Sequence, residues 1–246
     1  MKDRLQLALR NPAHALEYAL RRAIPFGIRF KDRDAYRIST WRHGRLERRR
    51  PAEIFPGIEH VDVRLFNLYD RDPGMSIDAA EVMVLCAIER FIRAENVLEI
   101  GTWDGNTALN LAANVADGGR VTTVDLPPDA RLPSGYWNKA EPSRVGVQYR
   151  GSPYESRIRQ VLGDSRTMNW EELGGPFDLI FIDGCHAEEY VRTDTENALR
   201  RIRPGGVIVW HDYGDFKSVS RAVDGLIGGS HHAAAVRSTR FAVARF

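Results

Sequence analysis

Residues 97–107 read VLEIGTWDGNT. Val97, Leu98 and Ile100 surround a single acid, Glu99, and form a short apolar run of the kind that fills a buried strand. Gly101 and Gly105 follow, four residues apart, and a helical pattern begins at Asn106. A strand, a glycine turn and a helix make the opening unit of an open α/β sheet. Gly101 allows a sharp turn and close approach to a ligand. Gly105 stands where the first backbone N–H groups of a helix face outward. The spacing is G-x-x-x-G, and not the G-x-G-x-x-G that seats a pyrophosphate on a helix N-terminus. Glu99 precedes the turn and Asp104 lies inside it. Two carboxylates would repel a phosphate and suit a cationic ligand.

Outward from this turn, apolar strands alternate with helices. The segment 76–95 carries Ile77, Val82, Leu85, Ile88 and Phe91 on one stripe, with Ser76 or Asp78 as its cap. Strands are expected at 96–100, 120–126, 158–162, 177–183 and 207–212. Helices are expected at 106–115, 167–173, 187–202 and 216–227, the 187–202 helix ending at Arg203-Pro204-Gly205-Gly206. The tail HHAAAVRSTRFAVARF, 231–246, reads as two strands joined tightly. This alternation predicts a mostly parallel sheet covered on both faces, with an antiparallel hairpin at its end.

The ligand follows from charge. S-adenosylmethionine carries an ammonium and a sulfonium and has no phosphate, so it suits the acidic turn. Thr102, Trp103, Asn106 and Thr107 fall at the ligand with the two glycines; Trp103 packs either on the cofactor or on the N-terminal segment. Asp125 ends the next strand, before Leu126 and 20 residues after Gly105, where an acid can accept both ribose hydroxyls. Gly163, Asp164 and Ser165 follow the third strand, and Asp164 could accept from the adenine amino group.

The successive stretches LEIGTWDGNT, VDL, GDS, FDLIFIDGCH and RPGGVIVWHDY resemble the motifs of class I methyltransferases. Within them they are similar to the methyltransferase-24 group, which includes catechol-type and antibiotic-biosynthetic O-methyltransferases. The resemblance covers about residues 76–246. It implies a Rossmann-like, doubly wound, seven-stranded sheet with a reversed last strand. It also implies that Glu99, Gly101, Asp125, Asp164 and Asp183 line the cofactor site.

Methyl transfer requires alignment of the acceptor and, for a hydroxyl, removal of its proton. The candidates are Asp183, His186, His211 and Asp212, from the ends of two strands. Asp183, His211 and Asp212 could share a divalent ion, with the alternative that no metal is used and a histidine, His211 or His186, is the base. The resemblance implies two aspartates and a following asparagine for magnesium. Here Tyr213 stands at the asparagine position and His211 precedes Asp212.

The sequence before residue 76 is expected to be an appendage that serves as acceptor pocket, lid or contact with a second copy. Asn11-Pro12 would open a helix, 26–41 would form a hairpin, and 42–75 would be irregular. The proline- and aromatic-rich stretch 127–155 reads as a lid. Residues 1–60 hold 14 Lys/Arg against 7 Asp/Glu, whereas the rest holds 21 against 26. That basic run, densest at 45–50, raises a nucleic-acid alternative, but it lacks an RNA-binding aromatic pattern. Two unrelated cysteines and the lack of a long apolar stretch point to a cytoplasmic protein. The expected function is O-methylation of a small molecule; N-methylation and a silent cofactor-binding scaffold are the other readings.

Overall fold

The sheet grows in both directions from the strand that precedes the glycine turn. The computed structural model describes residues 43–68, 77–127, 145–229 and 232–246. These belong to one unit, Arg42–Phe246; the helix and hairpin expected before residue 42 lie outside the described residues.

Strand β1 is Arg48–Arg49 and helix α1 is Pro51–Ile54. Helix α2 spans Ala79–Phe91, followed by β2 at Asn96–Ile100, α3 at Asn106–Asn114 and β3 at Arg120–Asp125. Then come β4 at Ile158–Leu162, β5 at Phe177–Ile182, α4 at Glu188–Arg201 and β6 at Ile202–Trp210. Helix α5 is Lys217–Ile227, and β7 and β8 are Ala233–Val236 and Ala242–Arg245. The stretch expected as a helix at 167–173 forms only a 3-10 turn, Trp170–Leu173.

The strand order is β1-β7-β8-β6-β5-β2-β3-β4. Strands β6, β5, β2, β3 and β4 are parallel, and β8 runs antiparallel to both β6 and β7. The chain leaves β2 to build β3 and β4 on one side, then returns to build β5 on the other. That reversal opens a crevice at the carboxyl ends of β2 and β5, where open α/β sheets bind ligands. The sheet has eight strands rather than seven because β1 pairs in parallel with β7. Two residues are too few to show a periodicity, so this edge strand is invisible to pattern reading.

Both faces of the sheet are buried. Val97, Leu179, Phe181, Val207 and Val209 pack with Val82, Leu85 and Ile88 of α2, joined by Phe55. The alternate residues Leu98, Ile180, Ile208 and Trp210 are also fully buried. Trp210 donates its indole N–H to Thr195 of α4 at 2.8 Å, which places α4 on that second face. Strand β6 starts earlier than expected and ends at Trp210. Its Pro204-Gly205 stretch lies within a register shift against β5, between the Phe177 and Leu179 pairs, so the turn-like composition marks a bulge.

The segment 61–68 is held by an asparagine ladder rather than by a sheet. Asn114 accepts from the Arg64 N–H at 2.8 Å and donates to its carbonyl at 2.7 Å. Asn110, one turn earlier on α3, does the same for Phe66 at 2.7 and 3.1 Å. Each carboxamide thus satisfies both backbone groups of one extended residue. Cys86 and Cys185 are free, and no described helix is long and apolar enough to cross a membrane.

Candidate active site

The glycine turn owes its shape to residues that only glycine could replace. Gly101 has φ +103°, and a Cβ there would sit 2.1 Å from the Asp183 carbonyl oxygen. Gly105 has φ +84°, and a Cβ there would meet the Tyr149 ring at 2.6 Å. The first contact fixes the turn against the end of β5. The second fixes it beneath the stretch 145–151, whose Gly146 and Gln148 donate to the Trp103 and Asp104 carbonyls at 2.9 and 2.8 Å. This part of the expected lid therefore packs on the turn itself; residues 128–144 lie outside the described residues.

Charge converges on the turn. Glu99 is fully buried, accepts from the Thr123 hydroxyl, and leaves Oε1 without a partner. Burial pushes its carboxyl well above the usual range, and the charges of Asp183, Asp125 and Asp104 push it further. Asp125 accepts the backbone N–H groups of Trp103 and Leu126, each at 2.7 Å, and burial still raises its carboxyl. Each of its oxygens retains a lone pair for a further donor. Four acids around one turn, one of them with an orphaned oxygen, form a site that a cation would relieve.

The other expected cofactor residues fall around this crevice. Thr102 is buried and bonded to Thr123 and Gln160. Trp103 takes φ +48°, Asn106 donates to Asp104 at 3.0 Å, and Thr107 is buried in the first turn of α3. Gly163 donates to the Asp125 carbonyl at 2.8 Å, which brings the third-strand loop beside the second. Asp164 accepts from the Arg166 N–H at 3.0 Å and the Tyr190 hydroxyl at 3.1 Å, while Ser165 is buried.

The reaction end lies just beyond β5 and β6. Asp212 adopts φ +56°, a left-handed conformation uncommon for a side-chain-bearing residue and one that clusters at functional sites. Its Oδ2 lies 2.9 Å from His186 Nε2, and its Oδ1 accepts from Arg240 at 2.8 Å. The His186 ring is a third exposed and stacks on Phe216, with centroids 4.4 Å apart. Burial lowers the His186 pKa, but the hydrogen bond to Asp212 and the charges of Asp212 and Asp183 outweigh it, leaving the pKa raised.

His211 differs from His186 in burial and in having both ring nitrogens engaged. It is buried, with Nδ1 2.9 Å from Asp183 and Nε2 3.3 Å from Glu81. Burial disfavours its charge, but the surrounding carboxylates push its pKa up to about 10. With both ring nitrogens engaged by carboxylates, it has neither a free lone pair for a metal nor a vacancy for a substrate proton. Of the two histidines expected as base, His211 is thus enclosed by acids and His186 is a third exposed. The donor atoms that come together, within 4.8 Å, belong to Asp183, His186 and Asp212.

These three donors suit a transition ion by type and spacing. The charge around them does not. Both Asp212 oxygens are already engaged, one of them by a guanidinium, and Asp183 already faces the His211 ring. Arg240 and the already engaged oxygens therefore compete with a divalent ion for these donors.

Glu81 and Arg240 are functional neighbours that pattern reading missed. Asp78 caps α2 by accepting from Ala80 and Glu81, both at 3.0 Å, which sets Glu81 in the first turn. Its side chain then receives the Arg240 backbone N–H at 2.7 Å and Nη2 at 2.8 Å. Glu81 looked like an ordinary first-turn acid, and Arg240 like a turn residue in the closing hairpin. Tyr213 points away from the site: its hydroxyl accepts from Arg45 and Leu46 at 2.8 and 2.9 Å and donates to Asp224.

Residues 98–213 match a family described as a methyltransferase domain. Over that stretch, which runs from the strand before the glycine turn to the ends of β5 and β6, the chain is similar to methyltransferase domains. It is 33% identical over 144 residues to a catechol O-methyltransferase of Mycobacterium tuberculosis, over 56% of each chain. It is 26% identical over 187 residues to catechol O-methyltransferase domain-containing protein 1 of Mus musculus, covering 70% of this chain and 67% of that one. The chain spans about half the length of most of the curated relatives it matches. An O-methyltransferase from Bacillus cereus, solved in complex with SAH, shares the fold with a TM-score of 0.55 at 20% identity, covering 79% of this chain and 89% of that one. The O-methyltransferase TomG from Streptomyces achromogenes, solved with SAM, does so at 0.51 and 18%, covering 86% and 94%.

Proposed function

We propose that this protein transfers the methyl group of S-adenosylmethionine to a hydroxyl of a small-molecule acceptor, with His186 as the base. The carrying observation is the junction at Gly101, where the acid-lined turn lies directly against the backbone of Asp183. The turn supplies the carboxylates a sulfonium cofactor suits, with Glu99, Asp125 and Asp164 as its polar contacts. The end of β5 and β6 supplies a histidine that is partly exposed and oriented by Asp212. His186 takes the hydroxyl proton on Nδ1, the ring nitrogen that does not face Asp212, as the acceptor oxygen attacks the methyl carbon and the carbon–sulfur bond breaks. The attacking electron pair forms the new C–O bond, and the sulfonium leaves as a neutral thioether. Asp212 stabilises the imidazolium that forms.

Support for O-methylation comes from relatives described as O-methyltransferases. Residues 76–246 form the transfer domain in this reading, and residues 1–75 are an appendage that serves as acceptor pocket, lid or contact with a second copy. In the basic run at 45–50, Arg48 and Arg49 build β1, Arg49 pairs with Glu47, and Arg50 with Glu53, which supports a role in the fold. The free cysteines suit a cytoplasmic setting.

The test has two stages. Titration calorimetry with S-adenosylhomocysteine should show one site per chain, weakened by Asp125→Ala. A screen of phenolic and sugar hydroxyls with methyl-labelled cofactor should then give transfer that His186→Ala reduces by roughly 10²–10⁴-fold. No cofactor binding would refute the methyltransferase reading; full turnover in His186→Ala would refute the base.

A further inference from the structure

The site between Glu81, Asp183 and Asp212 has a positive group of its own, delivered from the far end of the chain. Arg240 lies in the turn between β7 and β8, yet its guanidinium reaches two carboxylates from different elements. Nη1 donates to Asp212 Oδ1 at 2.8 Å; Nη2 donates to Glu81 Oε2 at 2.8 Å and Nε to Oε1 at 3.2 Å. The Arg240 backbone N–H adds a further bond to Glu81. Glu81 is completely buried and Asp212 nearly so, with 4% of its surface exposed. A guanidinium is always charged, and its planar fork holds two acceptors in fixed directions. The remaining Asp212 oxygen receives His186.

We propose that Arg240, beside the buried His211 ring, is a resident cation of this active site, so that the wild-type chain positions His186 and Asp212 without a bound divalent ion. Asp212 then has a fixed geometry before any ligand arrives, held by Arg240 on one oxygen and available to His186 on the other. Glu81 is the anchor that keeps the guanidinium in place, through three donors of one residue. Arg240 is thus a positioning residue: it acts on the acceptor through Asp212 and His186. The closing hairpin gains a role beyond completing the sheet, since it carries the charge that the carboxylates at the ends of β5 and β6 require. This inference rests on reading the cluster as the reaction end, but its test does not require methyl transfer.

The experiment is calorimetric titration of the metal-stripped full chain with Mn²⁺, Co²⁺ and Zn²⁺, with Asp212→Asn as the control for sites elsewhere on the surface. Wild type should show no one-to-one binding that Asp212→Asn removes. The double variant Glu81→Gln/Arg240→Met removes the guanidinium together with the carboxylate that anchors it, leaving Asp212 without its Arg240 bond and His211 without the Glu81 charge. It should gain a site for Mn²⁺ or Co²⁺ at least about tenfold tighter than wild type. Folding of the variant is checked by its unchanged affinity for S-adenosylhomocysteine, or by a native circular dichroism spectrum if that ligand does not bind. One ion per wild-type chain, lost in Asp212→Asn, would overturn the proposal. A folded double variant that gains no ion site would equally overturn the assignment of Arg240 as the cation that excludes it.

Discussion

Truncation of Asn114 to alanine tests the asparagine ladder, because its magnitude can be worked from individual bonds. The side chain is 2% exposed and makes two hydrogen bonds to the Arg64 backbone, at 2.8 and 2.7 Å. A net contribution of about 0.5–1.5 kcal/mol per bond gives a loss of about 1–3 kcal/mol. Arg64 is itself exposed, so water can re-satisfy its freed groups and the lower half of that range applies. Removing Asn110 as well deletes the four bonds to the segment 61–68, besides each amide's bond to a carbonyl of its own helix, and should bring the loss from the segment to about 2–6 kcal/mol. For a domain of this size each kcal/mol lowers the midpoint by roughly 2–4 °C. Urea unfolding at constant m-value measures the difference, and thermal melts check it. The same segment reaches the active site, since Asn67 donates to Gln148 at 3.2 Å and Gln148 is bonded to the turn. Affinity for S-adenosylhomocysteine should therefore fall with stability in the double variant. A double variant within about 0.5 kcal/mol of wild type would refute the claim that these carboxamides replace sheet pairing.

Other outcomes follow from the same geometry. Gly101→Ala should abolish cofactor binding and lower the expressed soluble fraction, because its Cβ would meet a backbone carbonyl at 2.1 Å and its φ is +103°; normal calorimetry would contradict this. His211 has a folded pKa of about 10 against an ordinary 6.5, so its stabilisation is complete below pH 6.5 and is lost as pH rises through 10. Urea midpoints should fall across that window by at most about 1.4 kcal/mol per pH unit, and His211→Phe should flatten the slope. Asp194 is buried, and burial outweighs the Ser165 hydroxyl beside it, pushing its carboxyl up to about 7 from 3.8. Its ionisation should lower stability as pH rises between those values, so Asp194→Asn should be the more stable protein at pH 8, by on the order of 4 kcal/mol at most. Asp212→Asn removes the Asp212 charge and its charged hydrogen bond, leaving only the Asp183 charge to oppose the lowering by burial. The imidazole titration followed by NMR should shift to lower pH; an unmoved titration would show that Asp212 does not orient the base.

Much of this protein was legible from local chemistry alone. The strand at 96–100, the helix opening at Asn106 and the strand at 158–162 fall where the apolar runs and turn residues place them. The acids around the glycine turn named the charge of the ligand before any fold was known. These features are local: period, glycine φ and charge density are written in neighbouring residues. What pairs across the fold could not be read that way. The chemistry of His186 and His211 depends on which acids surround each ring, and those acids come from α2, β5 and the turn after β6. Arg240 reaches Asp212 only because β8 lies antiparallel beside β6 and returns the hairpin turn to the site. The sequence by itself determined the α/β alternation, the acidic glycine turn and the pool of reactive side chains. Only the tertiary structure decided which histidine is exposed and which is locked, because burial and ion pairing are properties of contacts between residues distant in the chain.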